Sequence, residues 1–137
     1  MNSKIVLLVL ALISISLLIL ISLPKSDLIQ PDELKDWIIR GKEFVLVDIR
    51  DDYNYSLSHI KGAINIPVLN MSNEDIVRAF REIRENYPDR EIVIYCYRGK
   101  LAARISELLA NNSIYVKRLP VGWLDIADQF RDISAVE

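Results

Sequence analysis

Cys96 is the residue whose type and surroundings point most directly to covalent chemistry. It follows the apolar run Ile92-Val93-Ile94-Tyr95 and precedes a short loop and a helical pattern that starts near Lys100. Gly99 permits the backbone angles at which loop amides turn inward and cradle an anion. The helix amino terminus, Arg98 and Lys100 add positive potential, which favours the nucleophilic thiolate form of cysteine. The sequence therefore predicts a nucleophilic cysteine in an anion-binding loop.

The chain contains one cysteine, and this limits what Cys96 can do. A lone cysteine forms no intramolecular disulfide and supplies no thiolate cluster for a structural zinc ion. Any exchange of sulfur or of a disulfide must therefore involve an external thiol. The simplest competing interpretation is a small buried hydrophobic residue without a chemical role.

A second polar cluster follows the apolar run Phe44-Val45-Leu46-Val47, where Asp48 and Arg50 stand one residue apart. In open α/β sheets ligands bind beyond the carboxyl ends of the strands, so we expect this cluster and the cysteine loop at the same edge. Asp48 and Arg50 could pair and anchor neighbouring loops, or contact a substrate directly. His59, the chain's one histidine, is a candidate general base by its chemistry. These three residues are the supporting candidates around Cys96.

Helices and strands alternate along the part of the chain that must position these residues. The two continuous apolar runs are typical of strands buried on both faces. Shorter extended stretches are predicted at residues 63–66 and 115–119. Helical periodicity, proline starts and glycine stops predict helices at residues 31–40, 51–58, 73–86, 100–111 and 122–129. The alternation predicts an α/β fold with a mainly parallel central sheet flanked by helices.

The chain begins with an uncharged apolar run, residues 5–23, bounded by Lys4 and by Pro24-Lys25. A helix of that length spans roughly 28 Å, close to the hydrocarbon thickness of a bilayer. We expect residues 1–23 to form a single-pass transmembrane anchor, residues 24–30 a linker, and residues 31–137 the folded domain, with a slight preference for a domain outside the cytoplasm. A cleaved secretory signal and a buried core helix are the alternatives.

Composition bounds the class of the remaining chain. The 137 residues are 51% hydrophobic and 26% charged, with a formal net charge of −2. After the apolar run this is the composition of an ordinary globular domain with a real core, which excludes disordered, collagen-like and disulfide-rich classes. There is no basic block, so we expect no nucleic-acid partner.

Three segments of the chain resemble the rhodanese family, in the family's order and spacing. They are Val47-Asp48-Ile49-Arg50, residues 59–67 with the sequence HIKGAINIP, and Tyr95-Cys96-Tyr97-Arg98-Gly99, with a weaker match at Gly122-Trp123. The resemblance covers residues 31–126, nearly all of the chain after the apolar run. It implies a single rhodanese-like domain, and it places His59 in a structural turn.

The resemblance also implies a sulfurtransferase. Cys96 would be the catalytic nucleophile and persulfide carrier, taking a sulfane sulfur from a small donor anion such as thiosulfate, or from another persulfide. The acceptor would be cyanide, an external thiol or a protein, because the chain has no second cysteine. The implied substrate-binding positions are Tyr97, Arg98, Gly99, Lys100, Leu101 and Ala102. No metal and no cofactor are expected.

The loop departs from the family pattern at two positions. Family loops often carry Arg and Ser where this chain has Leu101 and Ala102, and Lys100 replaces the charge without a bidentate fork. One alternative is therefore a membrane-tethered, non-catalytic binding or sulfur-relay module with a protein partner. The other is a phosphatase or arsenate reductase, which would need an arginine six residues after the cysteine, where Ala102 stands.

Overall fold

A computed structural model of the chain describes residues 2–21, 27–133 and 135–137. The first helix, α1 (Ser3–Ile21), has its side chains described as far as Ser14. Among the described residues no helix is long and apolar enough to cross a membrane. The predicted anchor depends on apolar side chains up to Leu23, so the anchor and the extracytoplasmic location lack structural support. Residues 22–26, which include the end of the predicted anchor and the start of the predicted linker, lie outside the described residues.

The remainder of the predicted linker packs on the domain. Leu28 forms a parallel bridge with Arg118, and Ile29 is fully buried. The Asp27 carboxylate accepts a hydrogen bond from Arg118 Nε at 2.8 Å. The folded unit therefore includes the chain from Asp27 onward, ahead of the predicted start at Pro31.

Helices alternate with four parallel strands in this unit. The strands are β1 (Phe44–Asp48), β2 (Ile64–Asn65), β3 (Glu91–Tyr95) and β4 (Lys117–Arg118), and the helices are α2 (Pro31–Ile39), α3 (Asp52–Leu57), α4 (Asn73–Asn86), α5 (Lys100–Ala110) and α6 (Trp123–Arg131). A 3₁₀ turn, Val68–Asn70, follows β2. The strand order is β2-β1-β3-β4, and each neighbouring pair is parallel. This confirms the predicted α/β domain with a parallel central sheet flanked by helices.

The two central strands, β1 and β3, pair along their whole length and are covered on both faces. Val45 lies opposite Ile92 and Val47 opposite Ile94, and these side chains pack under α4 and α5 with Phe80. The alternate side chains of the same strands point to the other face, because successive residues of a strand alternate sides. They pack there with residues of α2 and α6 (Leu46, Val93 and Tyr95 with Leu34, Ile126 and Phe130). The result is a three-layer domain.

The edge strands are shorter than the sequence predicts. The extended stretch at 115–119 contributes only Lys117–Arg118 to the sheet, and the stretch at 63–66 only Ile64–Asn65. Each edge strand has a single neighbouring strand, so fewer ladder bonds hold it extended. The carboxyl-terminal residues add a contact that the sequence does not predict: Val136 forms an antiparallel bridge with Ile60.

The topology brings the two polar clusters together. Asp48 and Tyr95 are paired in register at the carboxyl ends of β1 and β3. Arg50 and Cys96 follow these two residues in the chain, so both clusters leave the sheet at the same edge. This is the edge at which the sequence places a ligand site.

Candidate active site

The sulfur of Cys96 is held by backbone N–H groups of its own loop. The N–H of Gly99 donates to Cys96 Sγ with an N···S distance of 3.1 Å, and the N–H of Ala102 does so at 3.4 Å. Ala102 belongs to the first turn of α5, where N–H groups have no partner within the helix and the helix dipole is positive. Negative charge on the sulfur is therefore stabilised by the loop itself.

Two glycines let the loop close against the segment that follows β4. Gly99 has a left-handed φ of 81°, and a Cβ there would lie 2.6 Å from the carbonyl oxygen of Pro120. A Cβ at Gly122 would lie 1.8 Å from the carbonyl oxygen of Tyr97. The next residue, Trp123, donates its backbone N–H to Cys96 O at 2.9 Å. Backbone packed against backbone therefore fixes the loop, and larger residues have no space at either position.

Asp48 and Arg50 form a buried ion pair beside the loop. Arg50 Nη2 donates to Asp48 Oδ2 at 2.6 Å and to the carbonyl oxygen of Ser58 at 2.7 Å. The guanidinium carbon also lies 5.4–5.9 Å from three ring centroids, those of Tyr95, Tyr97 and Trp123. Burial lowers the pKa of Arg50, but the hydrogen bond and charge of Asp48 outweigh it and raise that pKa above its usual value. Arg50 therefore stays charged and is held in place.

Further contacts tie this pair to the strand that carries Cys96. The hydroxyl of the fully buried Tyr95 accepts a hydrogen bond from the backbone N–H of Ile60 at 3.1 Å. Burial above all raises the pKa of Tyr95, so its hydroxyl stays neutral. Trp123 Nε1 donates to Ser58 Oγ at 3.3 Å. We call Asp48, Arg50, Ser58, Tyr95 and Trp123 the base of the site.

His59 lies in a contact with the carboxyl terminus rather than at the sulfur. Its ring stacks on Tyr55 with centroids 3.8 Å apart, and its Nδ1 lies 3.0 Å from the carbonyl oxygen of Tyr55. Its Nε2 lies 3.5 Å from a carboxylate oxygen of Glu137, whose backbone pairs with that of His59. Both ring nitrogens are thus engaged by the turn and the terminus, which leaves no geometry for a general base acting on Cys96.

Cys96 lines a cavity of about 410 Å³. The residues that share this cavity with it are Arg50, Asp51, Asn54, Leu69, Tyr97, Arg98, Lys100 and Leu101. We call Tyr97, Arg98, Lys100 and Leu101 the rim. The six loop positions predicted from the sequence therefore divide in two: these four line the cavity, whereas Gly99 and Ala102 reach the sulfur through their N–H groups.

Asp51, Asn54 and Leu69 are cavity residues that sequence reasoning missed. Asp51 is the N-cap of α3, and its carboxylate accepts from Asn54 N at 2.9 Å and from Asn54 Nδ2 at 2.7 Å. These two hydrogen bonds, the backbone one foremost, lower the pKa of Asp51 below its usual value. The available signal was a capping Asp directly after a predicted strand end, a place where helix starts and ligand sites coincide.

A second cavity, of about 490 Å³, lies between α4 and α5. Its lining residues are Asn73, Glu74, Val77, Arg78, Arg81, Leu108 and Asn112. None of these is a nucleophile of the kind used in covalent catalysis. The chemistry of the molecule therefore belongs to the cavity that contains Cys96.

The family model for the rhodanese-like domain matches residues 30–128. That match covers most of the chain and contains β1 to β4 with the whole Cys96 loop. The chain belongs to the rhodanese-like domain family.

Individual relatives differ in what they are named for. A probable adenylyltransferase/sulfurtransferase, MoeZ of Mycobacterium tuberculosis, is 33% identical over 86 residues, which are 63% of this chain and 20% of the relative. This chain thus spans about a fifth of that relative's length.

Two solved structures share the fold at lower identity. The human single-domain sulfurtransferase TSTD1 has a TM-score of 0.58 and 17% identity over 77% of this chain and 98% of that one. An As-Sb reductase from Leishmania major has a TM-score of 0.63 and 20% identity over 77% of this chain and 79% of that one. At these identities the structures show the fold alone, because one fold hosts several chemistries.

Proposed function

We propose that this protein is a sulfurtransferase that carries a sulfane sulfur on Cys96. The observation that supports it most strongly is the pair of N–H groups, from Gly99 and Ala102, that point at Cys96 Sγ in a substrate-sized cavity. A catalytic thiolate needs such stabilisation and access to a ligand. A cysteine that only filled space in the core would need neither.

The reaction proceeds through two transfers at one sulfur. The Cys96 thiolate attacks the outer sulfur of thiosulfate, the S–S bond of the donor breaks, and sulfite leaves with the bonding electrons. The resulting Cys96 persulfide is attacked at its outer sulfur by cyanide or an external thiolate, which leaves with that sulfur and regenerates the Cys96 thiolate. The N–H groups of Gly99 and Ala102 stabilise negative charge on the sulfur in both steps.

The rim has a separate part in this proposal. The exposed cations Arg98 and Lys100 draw anionic donors towards the sulfur, and Tyr97 and Leu101 shape the opening. The base holds the loop without contacting the donor, because the Asp48 carboxylate and the Ser58 carbonyl oxygen hold the Arg50 guanidinium.

A second candidate is a sulfur-relay or binding module with a protein partner. The observation that favours it is the apolar opening: Leu101 lines the cavity, Leu69 is 63% exposed, and position 102 is alanine. An opening of this kind offers a free inorganic dianion fewer side-chain donors than an arginine and a serine would. Such a module would take sulfur from a protein persulfide and not from thiosulfate.

The test is turnover by the full chain with thiosulfate and cyanide, followed as thiocyanate. We expect Cys96→Ser to lower the rate at least about 10³-fold while the melting temperature stays close to that of the native protein, since the nucleophile is removed and the fold is not. The matched control is Tyr115→Phe, an exposed position just before β4 at the opposite edge of the sheet. A native chain that accepts sulfur from no small donor but does so from a protein persulfide would favour the relay module instead.

A further inference from the structure

The cavity at Cys96 is larger than an inorganic sulfur donor requires. Its volume, about 410 Å³, falls within the ~300–1,000 Å³ of pockets that enclose small organic ligands. Thiosulfate would occupy only the part next to the sulfur. The rest of the cavity must therefore be explained by a donor that carries an organic group.

Charges of opposite sign line the cavity. Asp51 supplies a carboxylate from the start of α3, and Arg98 and Lys100 supply cations from the cysteine loop and the start of α5. Among the described residues, the ion pairs include none that would neutralise these three side chains. A ligand that fills the cavity therefore meets both a negative and a positive group.

Asp51 is built to remain a carboxylate. Each of its oxygens accepts one hydrogen bond from Asn54, at 2.9 Å and 2.7 Å, which leaves each oxygen a free lone pair. The same hydrogen bonds lower the pKa of Asp51 below its usual value. The group is thus ionised and still able to accept a donor from a ligand.

Apolar side chains complete the lining. Leu69, at the 3₁₀ turn after β2, and Leu101, in the first turn of α5, both line the cavity. They offer contact to the methylene groups of an organic donor, and such contact favours burial of apolar surface. A purely inorganic anion gains nothing from them.

We propose that the preferred sulfur donor is the persulfide of a thiol amino acid or short thiol peptide, with its α-ammonium group at Asp51 and its carboxylate facing Arg98 and Lys100. This inference rests on the sulfurtransferase function proposed above and names its substrate class. The recognised chemistry is a zwitterion next to a persulfide, which both a free amino acid and a small peptide supply.

The transfer step balances with this donor. The Cys96 thiolate attacks the outer sulfur of R–S–S–H, a new S–S bond forms, and the donor S–S bond breaks. The thiolate R–S⁻ leaves with the bonding electrons, and the outer sulfur keeps its hydrogen in Cys96–S–S–H. No external oxidant or reductant takes part, since one S–S bond replaces another.

Thiosulfate is disfavoured by the same features. Its two negative charges are attracted by Arg98 and Lys100 but repelled by Asp51, and it leaves the leucine contacts unused. A zwitterion satisfies both walls of the cavity. The charge on Asp51 is therefore the feature that separates the two donor classes.

The experiment measures how fast the full chain acquires a persulfide on Cys96, by intact mass, with three donors: cysteine persulfide, N-acetylcysteine persulfide and thiosulfate. N-acetylation removes the ammonium charge and keeps the reacting sulfur. We expect native protein to react about tenfold faster with cysteine persulfide than with the acetylated donor, the effect of one charge-assisted contact of about 1.4 kcal/mol.

The variant is Asp51→Asn, which removes the charge and keeps a residue that caps helices as well as aspartate does. We expect it to bring the ratio of the two organic donors close to one and to raise the rate with thiosulfate. The matched control, Asp52→Asn, removes the same charge from the next residue, which is exposed and does not line the cavity, and it should leave the ratio unchanged.

The outcomes separate the two proposals. A native chain that uses both organic donors at equal rates, or an Asp51→Asn ratio equal to the native one, overturns the donor assignment and leaves the sulfurtransferase function standing. A chain that forms no Cys96 persulfide with any donor overturns the proposed function itself.

Discussion

The base and the rim of the site lie within one loop's length of each other and are built in opposite ways. The base is buried: Asp48 is 0% exposed and Arg50 3%, and they bind each other and Ser58 by hydrogen bonds of 2.6–3.0 Å. In the rim, Tyr97, Arg98 and Lys100 are exposed. The described ion pairs include Arg50 but neither Arg98 nor Lys100. One region is fixed by its own partners, and the other is left for a ligand.

This difference separates two tasks of a catalytic loop. Stabilising charge on Cys96 Sγ requires N–H groups held within a few tenths of an ångström, which a saturated, buried base can provide. Recognising a donor requires side chains whose hydrogen-bonding groups are not already satisfied. Substitutions in the base should therefore change the free energy of unfolding, whereas substitutions in the rim should change kinetics alone.

The largest expected effect follows from removing Arg50. Arg50→Met leaves the Asp48 carboxylate buried without its partner, and we expect the free energy of unfolding to fall by about 3–5 kcal/mol. Urea denaturation of the full chain measures it. The double variant Asp48→Asn with Arg50→Met should recover more than half of the loss. A loss below about 1 kcal/mol in the single variant would show that the pair does not hold the base together.

A smaller effect is expected from adding a methyl group at Gly99. Gly99→Ala brings both the left-handed φ of 81° and a Cβ 2.6 Å from Pro120 O, whereas Gly41→Ala brings a similar φ, 66°, with no atom within 4 Å. Both pay about 1–2 kcal/mol for the backbone angle. Gly99→Ala should lose about 1–3 kcal/mol more through the clash, together with sulfur transfer. Equal losses of stability and activity in the two variants would contradict a loop held by close backbone packing.

The smallest change in stability is expected in the rim. Arg98→Ala and Lys100→Ala remove exposed side chains, so the free energy of unfolding should stay within about 0.5 kcal/mol of the native value. The KM for anionic donors should rise several-fold and more steeply at low ionic strength, because screening weakens the contribution of exposed charges. Steady-state kinetics at two salt concentrations tests this. An unchanged KM in both variants would remove the rim from donor recognition.

The sequence predicts the central part of the fold well, for physical reasons that can be named. The continuous apolar runs define β1 and β3 because both faces of these strands are covered. The predicted helix at 73–86 has the bounds of α4, since Ser72 caps its start and its apolar side chains recur on one face. The edge strands and the pairing of Val136 with Ile60 are harder to predict, because short segments without periodicity take their structure from tertiary contacts.

The candidate site divides in a similar way. Cys96 and the loop up to Ala102 are contiguous in the chain, so their type and spacing already indicate an anion-binding loop. Asp51, Asn54 and Leu69 come from other segments, and only the parallel order of β2, β1 and β3 brings them to the same cavity. The anchor predicted from residues 5–23 has no support among the described helices.

The most direct test of the central claim is the intact mass of the full chain after brief exposure to thiosulfate, and separately to cysteine persulfide. Transfer of one sulfur to Cys96 predicts an increase of about 32 Da, located on Cys96 by peptide mapping, removed by cyanide or a thiol and absent in Cys96→Ser. A native chain that gains no mass with either donor, or that keeps the same increase in Cys96→Ser, would contradict a persulfide carried by Cys96.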